Sequence, residues 1–145
     1  MSKWDNRFMD LAKEISTWSK DPSSKIGAVA VDDNKRILSM GYNGFPRGIN
    51  DSPEKYENKE IKYSRIVHAE MNCVFNAAHQ GVSLNSSSMY VYGLPICNDC
   101  AKGLIQVGIK RVVLKKLDTW TDKWMGSWRI SQEMFKEANT EIVIL

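Results

Sequence analysis

The chain has 145 residues, 43% hydrophobic and 26% charged, the usual size of one compact domain that buries a core without staples; a single domain over residues 1–145 is expected. Its net charge of +3 is mild and its basic residues are dispersed, which argues against a stable nucleic-acid partner. No apolar run approaches the roughly 18 residues of a membrane span, and the opening MSKWDNRFMD has no apolar leader core, so a cytoplasmic protein without a membrane partner is expected.

RFMDLAKEISTWS places Phe8, Leu11, Ala12, Ile15 and Trp18 at helical spacing and predicts an amphipathic first helix, ended by DPSSK, with Trp4 and Trp18 in the core. IGAVAVD and RILSMGY are short β-branched and apolar runs around the turn-forming DDNK, which predicts an antiparallel hairpin. The polar stretch NGFPRGINDSPEKYENKEIKYS then reads as a long loop, of a length that is usually functional or disordered. RIVHAEMNCVFNAAHQG predicts a second helix closed by Gly81, SMYVYG a third strand, and NDCAKGLIQVG a third helix stopped by Gly108. KRVVLK is a fourth strand, a fourth helix is expected from about Ser127 or Arg129 to Ala138, and EIVIL is a final strand. The basic cluster IKRVVLKK marks the ends and solvent face of its strand. After the hairpin, the alternation of strand and helix favours right-handed crossovers. The expected fold is therefore a three-layer α/β/α arrangement on a mixed five-stranded sheet, with its last strands parallel.

Only two histidines and three cysteines are present, and two of the cysteines are spaced C-x-x-C. That count makes a poor disulfide framework and points to metal or redox chemistry. His68, Cys97 and Cys100 each fall beside the start of a predicted helix, where unsatisfied amides favour thiolates. One imidazole and two thiolates are the three protein ligands of a catalytic Zn²⁺ site, whose fourth position is left to water. Glu70, two residues beyond His68, is placed to exchange a proton with that water. H-x-E followed by P-C-x-x-C is the signature of zinc nucleobase deaminases. Here Ile96 separates Pro95 from Cys97, so the ligand spacing is kept while the turn into the helix differs. A redox pair lacks a thioredoxin-type context, and a structural zinc site lacks its fourth ligand: His79 is expected at a helix end and Cys73 on a helix interior.

DPSSKIGAVAVDD, GYNGFPRG, HAEMN and CNDCAKGLIQVGIKRVV together resemble the deoxycytidylate (dCMP) deaminases of the cytidine-deaminase-like superfamily, over most of the chain. Deaminases of free cytidine characteristically carry Cys-Ala-Glu instead of His-Ala-Glu, and tRNA adenosine deaminases differ after their C-x-x-C. The resemblance implies hydrolysis of dCMP to dUMP and ammonia, Zn²⁺ on His68, Cys97 and Cys100, and Glu70 as proton shuttle. It also implies a homohexamer activated by dCTP and inhibited by dTTP with Mg²⁺. Some phage-type members carry a second zinc, for which this chain has too few spare ligands.

For the substrate, Ser23, Ser24 and Lys25 offer hydroxyls, amides and an ammonium to a phosphate, and Asn43 offers a donor and an acceptor to the sugar or base; Ala69 completes the expected set. The bland alternatives are a helix-ending turn at DPSSK and a turn asparagine at position 43. Asn43, Gly44, Phe45, Arg47 and Gly48 combine close backbone approach, an aromatic ring and a guanidinium, and are the expected triphosphate-effector loop; the alternative is an ordinary Gly/Pro turn. Trp120, Trp124 and Trp128 are expected at an interface or in the core ahead of stacking on substrate. Two other functions compete: the same chemistry on guanine, on adenosine in tRNA or on single-stranded nucleic acid, and a non-catalytic zinc module, against which Glu70 argues.

Overall fold

The computed structural model describes residues 2–145. Five strands, β1 (Gly27–Val31), β2 (Ile37–Tyr42), β3 (Ser88–Tyr92), β4 (Arg111–Leu114) and β5 (Glu141–Ile144), form one sheet in the order β2-β1-β3-β4-β5. β1 is antiparallel to both its neighbours, while β3, β4 and β5 run parallel. The helices are α1 (Lys3–Ser16), α2 (Pro53–Glu57), α3 (Lys59–Arg65), α4 (Ala69–Gln80), α5 (Asn98–Gln106) and α6 (Asp122–Glu137).

The period-two alternation of strand side chains sorts two cores onto the two faces of this sheet. Val29, Val31, Tyr90 and Val113 meet Phe8, Met9 and Ala12 of α1 on one face. Ala28, Ala30, Met89, Val91, Val112 and Leu114 meet α4, α5 and α6 on the other. This is the expected α/β/α layering. Gly41 lets α4 lie directly on β2: a Cβ there would come within 2.6 Å of the Ala69 carbonyl oxygen and would strike the amide nitrogen of Cys73. The contact holds the first turn of α4, and with it His68 and Glu70, against the sheet. The side-chain amides of Asn72 and Asn76 then reach the edge strand, donating to the carbonyl oxygens of Tyr42 at 2.8 Å and Met40 at 2.7 Å.

Four expectations need correction. The segment read as a long loop contains α2 and α3, started by Pro53 at the first helical position and by Asn58, whose side chain accepts from the Ile61 amide at 3.1 Å. The second predicted helix starts at Ala69 rather than Arg65, because Val67 pairs with Gly44 in an antiparallel bridge and His68 is extended as the N-cap. The last helix starts at Asp122, with Gly126 inside it in open space rather than ending it. Trp18 lies beyond the end of α1 and is 56% exposed, its ring edge-on to Tyr42, whereas Trp4 stacks on Phe8.

Candidate metal centre and active-site cavity

Two helix starts converge on one point. His68 is the N-cap of α4 and Cys97 the N-cap of α5, both in extended conformation, and Cys100 sits on the first turn of α5 with its amide directed at the Cys97 sulfur, 3.4 Å away. Nδ1 of His68 lies 3.3 Å from Sγ of Cys97 and 3.3 Å from Sγ of Cys100. Their candidate ligand atoms all fall within 4.8 Å of one another, the only such grouping of His, Cys, Asp or Glu among the described residues. The donors suit zinc. Hydrogen bonding from Cys100 and His68 pulls the Cys97 thiol well below the ordinary thiol range, and the bond to Cys97 raises the His68 imidazole to about 9. Both shifts favour a thiolate at Cys97, the form in which sulfur binds metal.

Ile96, the residue that departs from the deaminase signature, is fully buried, and its carbonyl accepts from Ser131 Oγ at 2.7 Å. Ser127 of α6 also braces the turn, accepting from the Asn98 amide at 2.8 Å and donating to Asn98 Oδ1 at 2.7 Å. The extra residue is absorbed into the core, and Cys97 keeps its capping position.

Glu70 is 4% exposed and lines the same cavity as His68 and Cys97, a space of about 520 Å³. Burial pushes its carboxyl up to about 7, only partly offset by the His68 charge. Cys73 is fully buried and held above the thiol range by burial, to about 12, which fits a core residue.

The cavity is also lined by Ser23, Ser24, Asn43 and Trp124, and by Asp21 and Lys62, which sequence reasoning did not single out. Asp21 is 1% exposed and sits in a turn of its own making: Oδ1 accepts from the Ser23 and Ser24 amides at 2.9 and 3.2 Å and from Ser23 Oγ at 3.0 Å. Lys62 Nζ pairs with Asp21 Oδ2 at 2.9 Å and donates to Ser23 Oγ at 2.8 Å. The D-x-S pattern is a local signal for the turn, but nothing local announces a lysine 41 residues away.

Asn43 is a buried clasp: Oδ1 accepts from the Ile26 amide at 2.9 Å and Nδ2 donates to the Ser24 carbonyl at 2.8 Å. Lys25 does not reach this cavity; its ammonium donates to the Ser19 carbonyl, and it lines a smaller neighbouring cavity of about 280 Å³. Ala69 is fully buried, backbone included, and does not line the cavity. Of the expected effector loop, Gly44, Phe45 and Arg47 line a separate cleft of about 360 Å³ with Asn72, Phe75 and Asn76. Arg47 donates to Asn76 Oδ1 at 2.7 Å and Phe45 stacks on Tyr56. Asn43 faces the other cavity, and Gly48 stands in open space with φ of 84°. Trp128 is buried against Trp120, as expected of core, whereas Trp124 forms cavity wall.

A family model described as the cytidine and deoxycytidylate deaminase zinc-binding region matches residues 2–116. The chain belongs to the cytidine and deoxycytidylate deaminase family. It is a zinc-binding deaminase, and so a hydrolase. An uncharacterized deaminase from the luxG 3′ region of Aliivibrio fischeri is 38% identical over 146 residues, covering 100% of this chain and 95% of that protein. The probable deoxycytidylate deaminase of Drosophila melanogaster is 36% identical, with 95% of this chain and 70% of that protein covered. The human deoxycytidylate deaminase is 40% identical over 116 residues, 77% of this chain and 64% of that enzyme. The crystal structure of the dCMP deaminase of cyanophage S-TIM5 superposes with a TM-score of 0.78 at 24% identity over the full length of both chains, a likeness of fold. As a family member, the chain needs its cavity read for substrate rather than for reaction class.

Proposed function

We propose that this deaminase converts dCMP to dUMP and ammonia. The observation that carries the reading is Glu70, a buried carboxyl on the same cavity as His68 and Cys97, which is also lined with serines and lysines. Relatives from fly, worm, mouse and human are named as established or probable deoxycytidylate deaminases, and the S-TIM5 enzyme has been crystallised with dCMP and dUMP.

His68, Cys97 and Cys100 would hold the zinc, which supplies a nucleophile from water near neutral pH. Glu70, with its carboxyl at about 7, takes a proton from that water and places one on N3 of the pyrimidine as oxygen adds at C4. It then takes the remaining proton from the oxygen on C4 and delivers it to the departing amino group, so that water and dCMP leave as dUMP and ammonia. Asn43 fixes the wall of the cavity through the backbone of Ser24 and Ile26.

The same reading extends to a cytoplasmic homohexamer activated by dCTP and inhibited by dTTP with Mg²⁺. Three free thiols suit a reducing compartment. Trp18, Ile37, Met40, Tyr42 and Phe75 are exposed around β2 and α4, apolar surface of the kind a second copy covers. The cleft holding Arg47 adjoins that surface and is separate from the catalytic cavity, as a regulatory site requires.

The test is ammonia release from dCMP, CMP, dCTP, cytidine and deoxycytidine by purified, zinc-loaded protein. Turnover of dCMP with the highest kcat/KM supports the assignment. Deamination of guanine or of adenosine in tRNA, with dCMP inert, would overturn it.

A further inference from the structure

The match to the family's zinc-binding region ends at residue 116, yet the cavity does not: Thr121, Lys123 and Trp124, from the start of α6, form part of its wall. The charge balance of the cavity lining shows what these residues add. Asp21 and Lys62 cancel each other at 2.9 Å, and Ser23 Oγ is engaged by both. Lys62 is only 8% exposed, so its ammonium is committed to structure. The side chain of Lys123 is different. It is exposed, makes no salt bridge among the described residues, and lies over the Trp124 ring with Nζ 4.7 Å from the centroid. The neighbouring acid, Asp122, does not line the cavity. Thr121 makes no side-chain cap at the start of α6, whose first turn carries Asp122.

We infer that Lys123, seated on the face of Trp124, is the residue that pairs with the substrate's 5′-phosphate, and that this segment beyond the family's zinc-binding region selects a nucleoside monophosphate over the free nucleoside. This rests on the dCMP reading above. Trp124 acts as a positioning residue: its ring holds the ammonium beside the cavity, where it can form a charge-assisted hydrogen bond to phosphate. Lys62 and Asp21 hold the Ser23–Ser24 turn in place opposite.

The experiment compares zinc-loaded wild type with Lys123→Ala, Lys123→Arg, Trp124→Leu and Trp124→Phe on dCMP and deoxycytidine. Each preparation is checked for zinc content and thermal midpoint. Lys123→Ala is expected to lower the ratio of kcat/KM for dCMP over deoxycytidine about tenfold, chiefly through KM for dCMP, with Lys123→Arg recovering most of it. Trp124→Leu should lower the same ratio and Trp124→Phe should retain it. Inhibition of deoxycytidine turnover by inorganic phosphate should weaken in Lys123→Ala. A ratio within twofold of wild type for Lys123→Ala overturns the inference while leaving the dCMP assignment standing. Inert dCMP with the wild-type enzyme, alongside deamination of another base, overturns both.

Discussion

The amide of Ile26 and the side chain of Asn43, 17 residues apart in sequence, are joined at 2.9 Å, and the same side chain returns a donor to the Ser24 carbonyl at 2.8 Å. One buried amide therefore ties the Ser23–Ser24 turn to the end of β2. Asn43→Ala leaves a buried N–H and a buried carbonyl without partners, at a cost of about 2–3 kcal/mol. Urea denaturation of the zinc-loaded protein should show a lower midpoint at unchanged m-value, and KM for dCMP should rise because Ser23 and Ser24 lose their anchor. A midpoint equal to wild type would mean that the clasp is redundant.

Glu70→Gln should retain zinc and fold while losing deamination by about a hundredfold or more, since the carboxyl that carries the proton is gone. The checks are metal content, circular dichroism and ammonia release. Activity within about tenfold of wild type, roughly 1.4 kcal/mol of barrier, would remove Glu70 from the reaction.

Metal analysis should give one zinc per chain, lost on combining Cys97→Ala with Cys100→Ala. Stoichiometric zinc in that double variant, or two zincs in the wild type, would contradict the trio of His68, Cys97 and Cys100 as the site.

Stability should carry an acid-sensitive component from the pair of Asp5 and Arg111, bonded at 2.7 and 2.9 Å across the start of α1 and β4. The Arg111 guanidinium holds the Asp5 carboxyl down at about 2, against an ordinary 3.8. A depressed carboxylate contributes stability above its unfolded pKa and loses it as pH falls through the folded value. The contribution, about 2 kcal/mol, should therefore be complete above pH 5 and decline between about pH 4 and pH 2. The difference in denaturation midpoint between wild type and Arg111→Met should shrink over that window, a comparison in which acid-driven loss of zinc cancels. A constant difference would show that Arg111 acts through packing alone.

For regulation, dCMP saturation curves should be sigmoidal, shifted left by dCTP and right by dTTP with Mg²⁺, as expected when the effectors bind two states with different affinity. Arg47→Ala should blunt both responses more than basal turnover. Hyperbolic curves indifferent to millimolar triphosphate would dismiss the effector loop and leave the deaminase intact.

The zinc trio was legible because its signals are local: His-x-Glu and C-x-x-C each sit on one helix start, and the chemistry requires that spacing. The sheet was legible from β-branched runs between turn residues. The start of α4 was misplaced because Ile66 and Val67 continue an apolar pattern that a bridge to Gly44, more than twenty residues away, converts to extended chain. Lys25 adjoins two serines in sequence, whereas the ammonium that meets Ser23 in space is that of Lys62, through a contact that no window of sequence contains. Trp18 fitted the helical period, but Thr17 ends α1 before that period reaches it.

Asn72 and Asn76, one helical turn apart, donate to carbonyls of the outermost strand β2. Those carbonyls would otherwise be a template for another strand. The helix thus blunts this rim of the sheet. Replacing both asparagines with leucine would reopen the rim while keeping the helix, converting a protected edge into one prone to open-ended stacking of strands.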